Sequence, residues 1–118
     1  MVFRETLNAI AGRIPETMAI SLLGIDGIAV ESINPAGLPL ESLSAELVNF
    51  FREIQMSNTE LEIGEIEQFS LSTDKLVSYV SLVTSEYLIL MVMSPGPNHG
   101  RVRFELKKAR FALKDELT

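Results

Sequence analysis

Residues 75–93 read KLVSYVSLVTSEYLILMVM: two apolar runs, Leu76–Val83 and Tyr87–Met93, joined by the short polar turn Thr84-Ser85-Glu86. Both runs have strand length and are rich in residues that pack well on a pleated surface. The stretch therefore predicts an antiparallel hairpin at the centre of a sheet. The rival is a membrane-spanning helix. It fails because Glu86 would sit in mid-span, and because the run is at or below the ~20 residues a span requires. Residues 87–93 carry no polar residue on either parity. A strand with one wet face would be polar at every second position, so both faces of this one are covered. Helices must lie on both sides of the sheet.

The rest of the composition narrows the class. A chain of 118 residues that is 47% apolar is expected to form a single domain, 1–118, around one ordinary core. A net charge of −6 argues against nucleic acid, whose binding is dominated by Lys and Arg neutralising phosphates. The sequence has no cysteine, which excludes thiol catalysis, disulfides and thiolate metal sites. In MVFRETLNAI, Arg4 and Glu5 interrupt any apolar core of signal-peptide length. The expectation is a soluble cytoplasmic protein with no stable membrane insertion.

Upstream of the hairpin, Phe3, Leu7, Ile10 and Ile14 form one stripe of an amphipathic helix over 2–13, which Pro15 ends. Thr17–Leu23 and Ile28–Ile33 then read as a second hairpin around Gly24-Ile25-Asp26-Gly27, a sequence suited to a tight turn. The segment Asn34-Pro35-Ala36-Gly37-Leu38-Pro39 is a loop. A helix is predicted from Leu40 to Met56, with Leu40, Leu43, Leu47, Phe50, Phe51 and Ile54 on one broad inward face. Opposite stand Ser42, Ala45, Asn49, Arg52 and Met56, in the a/d rhythm of a helix seam; a solvated face would fit the same spacing. Residues 58–71 read as a weaker edge strand, with Glu60, Glu62, Glu65 and Glu67 blocking adventitious pairing.

Downstream, Ser94-Pro95-Gly96-Pro97 ends the last strand, and Asn98 is placed to cap a final helix through Leu117. Its inner stripe is Val102, Leu106, Ala109, Leu113 and Leu117. Phe104 and Phe111 project from nearly the opposite side among Lys107, Lys108 and Lys114. These two phenylalanines suggest a second contact surface, for assembly of dimers, an acidic partner or a membrane surface, unless the first helix covers one of them. The fold class is α+β: one five-stranded antiparallel sheet, with one helix on one face and two on the other.

Catalytic chemistry is sparse. His99 is the single histidine and lies at a helix start, so neither a Ser-His-Asp set nor a general base can be assembled around it with confidence. The four glutamates lack the spacing of a Ca²⁺ loop, and Gly24 to Gly27 lacks the third glycine and following helix of a phosphate-binding loop. The expectation is no enzyme, no cofactor and no metal.

The early hairpin AISLLGIDGIAVES, the leucine-rich middle helix, the hairpin KLVSYVSLVTSEYLILMVM and the closing GRVRFELKKARFALKDEL together resemble the Roadblock family of dynein light chains and bacterial GTPase regulators. Within it, the Gly-x-Val-Arg opening and Lys-Lys-Ala helix are most similar to the MglB-like regulators of Ras-like GTPases. The resemblance covers nearly the whole chain. It implies a homodimer joined by antiparallel middle helices and by edge strands, binding and regulating a small Ras-like GTPase without inserting an arginine into the nucleotide site. Ser42, Ala45, Asn49, Arg52 and Met56 would then be the dimer or partner interface, and Phe104, Lys107, Lys108 and Phe111 the second one. Glutamates on the pairing edge would oppose their own copies across a two-fold. The alternative function is a structural light chain or scaffold subunit with no effect on nucleotide turnover. A small-molecule sensor would need inward polar groups that the apolar strands do not show.

Overall fold

The computed structural model describes residues 2–96 and 98–117. Helix α1, Val2–Arg13, leads into strands β1, Thr17–Gly24, and β2, Ala29–Ile33. Helix α2, Leu40–Leu61, is followed by β3, Gln68–Ser72, β4, Val77–Leu82, β5, Tyr87–Met93, and α3, His99–Leu117. The strands form one sheet in the order β2-β1-β5-β4-β3, antiparallel throughout.

The apolar hairpin lies where its composition requires. β5 pairs with β1 on one side and β4 on the other, and Leu88 through Met93 are fully buried. Leu88, Leu90 and Val92 meet Leu47, Val48 and Phe51 of α2. Ile89, Met91 and Met93 turn the other way, into a core shared with Leu7 and Ile10 of α1 and Val102, Leu106 and Leu113 of α3. One helix thus covers one face and two cover the other, as the apolar parity demands.

Local chemistry sets the connections. In the β1–β2 turn, Asp26 Oδ1 accepts the Ile28 N–H at 3.0 Å, and Gly27 takes φ 86°. A Cβ on Gly27 would stand 3.6 Å from the Ala45 Cα, so the glycine also lets α2 approach the turn. The Asn34 side chain brackets its loop: it donates to the Leu38 carbonyl at 2.8 Å and accepts the Leu38 N–H at 3.1 Å. Asn98 caps α3 as predicted, its Oδ1 accepting the Arg101 N–H at 3.1 Å.

Two expectations are corrected downstream of Met56. Helix α2 runs five residues further, because Ser57–Glu60 contains neither proline nor glycine. It ends where Glu62 enters the left-handed region at φ 55° and the Ile63 N–H closes onto the Asn58 carbonyl. The edge strand is correspondingly short. Glu60 belongs to the helix, and Glu62, Glu65 and Glu67 to the connection, which Gln55 ties down by accepting the Ile66 N–H at 2.8 Å. Strand β3 itself, QFSLS, carries no charge.

Candidate interaction surface

Helix α2 faces the sheet with Leu40, Ser44, Leu47, Val48 and Phe51. Ser44 occupies the middle of this stripe, where a small side chain lets the helix sit close. Its polarity hides the stripe's true centre from a reading of apolar spacing. Phe50 and Ile54, assigned above to the core, therefore fall on the shoulder and are 50% and 37% exposed. Leu43 is only partly buried.

That shoulder looks toward β3. The Phe50 and Phe69 rings meet at 5.5 Å with a tilt of 58°. Leu71, two residues beyond Phe69 on the same sheet face, is half exposed, as are Leu61 and Ile63 to a larger extent. Beside this patch, β3 is the last strand of the sheet, so one side of its backbone is unpaired. Apolar side chains gathered next to an open, uncharged strand edge are what an association surface presents.

The predicted series Ser42, Ala45, Asn49, Arg52 and Met56 is exposed at every position, with the Ala45 backbone beside the Gly27 turn. Arg52 borders a shallow cavity of about 230 Å³ with Ile25, Gln55, Glu65 and Ser85. Among the described residues it has no ion-pair partner.

Across the sheet, Phe104 and Phe111 are 60% and 66% exposed, and α1 covers neither. Lys107 and Lys108 flank them in solvent, and the Lys108 ammonium lies 5.4 Å from the Phe104 ring centre. Glu105 is a residue that spacing did not single out. It is buried against α1, where Arg13 pairs with it at 3.2 Å and Lys108 reaches it at 3.9 Å. The i,i+3 distance from Lys108 was the available signal.

His99 is exposed at the start of α3, and its Nδ1 shares a hydrogen bond with the hydroxyl of buried Tyr79. Burial raises the Tyr79 pKa, and the nearby Arg103 charge offsets part of the rise. The pair pins α3 to β4. Among the described residues, no three of His, Asp and Glu converge as a metal-binding group, and the acidic connection before β3 is no exception.

A single antiparallel sheet in the order β2-β1-β5-β4-β3, with α2 on one face and α1 and α3 on the other, is the Roadblock/LC7 fold. Myxococcus xanthus MglB superposes with a TM-score of 0.89 at 14% identity, covering 99% of this chain and 95% of that one. A Roadblock/LC7 domain from Streptomyces avermitilis gives 0.86 at 14% identity over 96% and 95% of the two chains. MglB in a tetrameric arrangement gives 0.85 at 17% identity, over 95% and 85%. No family model matches the sequence, and no curated relative matches it.

Proposed function

We propose that this chain is a regulatory module rather than an enzyme: two copies associate through the α2 shoulder and the β3 edge, and the composite surface binds and regulates a small Ras-like GTPase. The observation that carries the association is the apolar patch of Phe50, Ile54 and Leu71 beside an uncharged, unpaired strand. With the glutamates outside β3, like charges no longer oppose pairing of two β3 edges. The GTPase class rests on the sequence resemblance; the fold shared with MglB is consistent with it, and a structure of MglB in a tetrameric arrangement accords with self-association. Ser42, Ala45, Asn49, Arg52 and Met56, on the outward side of α2, are then the residues offered to the GTPase.

The test begins with capture of the GTPase on tagged protein and its identification by mass spectrometry. GTP hydrolysis and nucleotide release are then measured with and without the chain. A change of about tenfold or more in either rate supports regulation, whereas tight binding with unchanged rates supports the light-chain or scaffold reading. Arg52→Ala separates two mechanisms. A loss of ~10³-fold in stimulated hydrolysis with binding intact would make Arg52 an arginine finger. The resemblance implies instead that stimulated hydrolysis survives the substitution.

A further inference from the structure

We propose that the outward face of α3 is a peripheral contact surface for anionic lipid. Phe104 and Phe111 lie one heptad apart, directly opposite the stripe of Val102, Leu106, Ala109 and Leu113 that docks α3 on the sheet. Lys107 stands on one shoulder of this ridge and Lys108 on the other. Aromatic side chains along the crest with cations on both flanks are the arrangement by which a helix lies in a bilayer interface: rings enter below the headgroups while lysine stems lift their charges to the phosphates. Asp115, one turn beyond Phe111, places a carboxylate at the end of the ridge, and the helix is still net +3.

Charge complementarity extends beyond the ridge. Helices α1 and α3 carry eight basic and four acidic residues, a layer of net +4, while α2 across the sheet carries one basic and four acidic, net −3. The whole chain is at −6, so an anionic surface repels it at long range. The acidic helix, however, lies about two layers away, roughly 20 Å at typical layer spacings of 8–10 Å. Eight of the sixteen acidic residues lie on strands and connections, and Glu67 among them borders Lys107 and Phe111. At 0.1 M salt the screening length is about 10 Å, so the six cations of α3 and the carboxylates beside them set the charge that a contacting surface meets. Both rings of the crest are exposed, so a bilayer interface can receive them directly, while along one shoulder Lys107, Arg110, Phe111 and Lys114 line a cavity of about 280 Å³ with Glu67. No helix among the described residues is long and apolar enough to cross a membrane, so the contact is peripheral. It also leaves α2 and β3, on the other side and edge of the sheet, free for a partner.

The measurement is co-sedimentation of the full chain with vesicles of equal phosphatidylglycerol and phosphatidylcholine at 0.1 M salt, against pure phosphatidylcholine. Binding is expected to the anionic vesicles alone, and to be lost at 1 M salt. Phe104→Ser with Phe111→Ser should weaken it by about tenfold or more. Lys107→Gln with Lys108→Gln should weaken it by about 25-fold, fivefold for each cation. Circular dichroism checks the fold of both variants; if the phenylalanine pair unfolds, the lysine pair decides. Absence of binding to anionic vesicles, equal binding to neutral ones, or folded variants that bind like the wild type would overturn the proposal. So would equal affinity for polyglutamate, which would mark an acidic-protein site. A change in the sedimentation mass of lipid-free protein on Phe104→Ser with Phe111→Ser would overturn it in favour of self-assembly.

Discussion

Tyr79 sits fully buried on β4, and its hydroxyl is satisfied by a histidine at the start of a helix twenty residues later. Burial holds its pKa above the ordinary 10.0. As pH passes 10, the unfolded chain releases this proton while the folded chain retains it. The contribution to stability is therefore complete below about pH 10 and declines as pH rises toward the folded value. Tyr79→Phe is expected to cost about 1 kcal/mol at neutral pH and to flatten the alkaline limb, read by denaturant titrations at pH 8, 10 and 11. Leu90, buried in the central strand on the α2 side, has no such pH dependence. Leu90→Ala should cost roughly 2–5 kcal/mol in the same assay through transfer and cavity terms. The role of residues 87–93 was legible because both parities are apolar, which leaves one arrangement open to them. The Tyr79–His99 bond was not, because pairing across sequence distance leaves no local pattern.

Helix α2 shows what periodicity can and cannot decide. Its length beyond Met56 and its shoulder were both misread from the sequence, for different reasons. Residues 58–67 alternate charged and apolar side chains in a way that suits an edge strand, yet helix continuation needs only the absence of a breaker, and the first left-handed residue is Glu62. The shoulder residues Phe50 and Ile54 share a helical period with the core, and an apolar side chain left in solvent looks the same in sequence as one facing its own sheet. Exposure separates them. On the proposed association, Phe50→Glu is expected to convert the protein to monomer in sedimentation equilibrium, since it places a carboxylate in the apolar patch. Ala45→Glu, on the outward side, should leave the dimer intact and weaken GTPase binding. If Ala45→Glu dissociates the dimer instead, the small-residue series found by spacing is the seam between copies.

The molecule as a whole is a charge-sorted sandwich about 27 Å through its thin dimension, with basic α1 and α3 on one side and acidic α2 on the other. The layers could be foreseen from the apolar strand, but the sorting required knowing which helix lies on which face. If association through α2 and β3 stabilises the folded chain, mass action makes its melting temperature concentration-dependent. A hundredfold dilution should lower Tm measurably in wild type and leave Phe50→Glu unchanged, as followed by fluorescence or dichroism melts. Strand order carries a further consequence, for the chain as it is made. The N-terminal hairpin finds its inner neighbour only in β5, where Ile20 pairs with Met91. At ribosomal rates of about 5–20 residues per second, the roughly 70 intervening residues take some 4 to 14 seconds to appear. Throughout that interval Ile20 and Leu22 have β2 on one side and nothing on the other, so the inner edge of the nascent hairpin stands open to pairing with another chain.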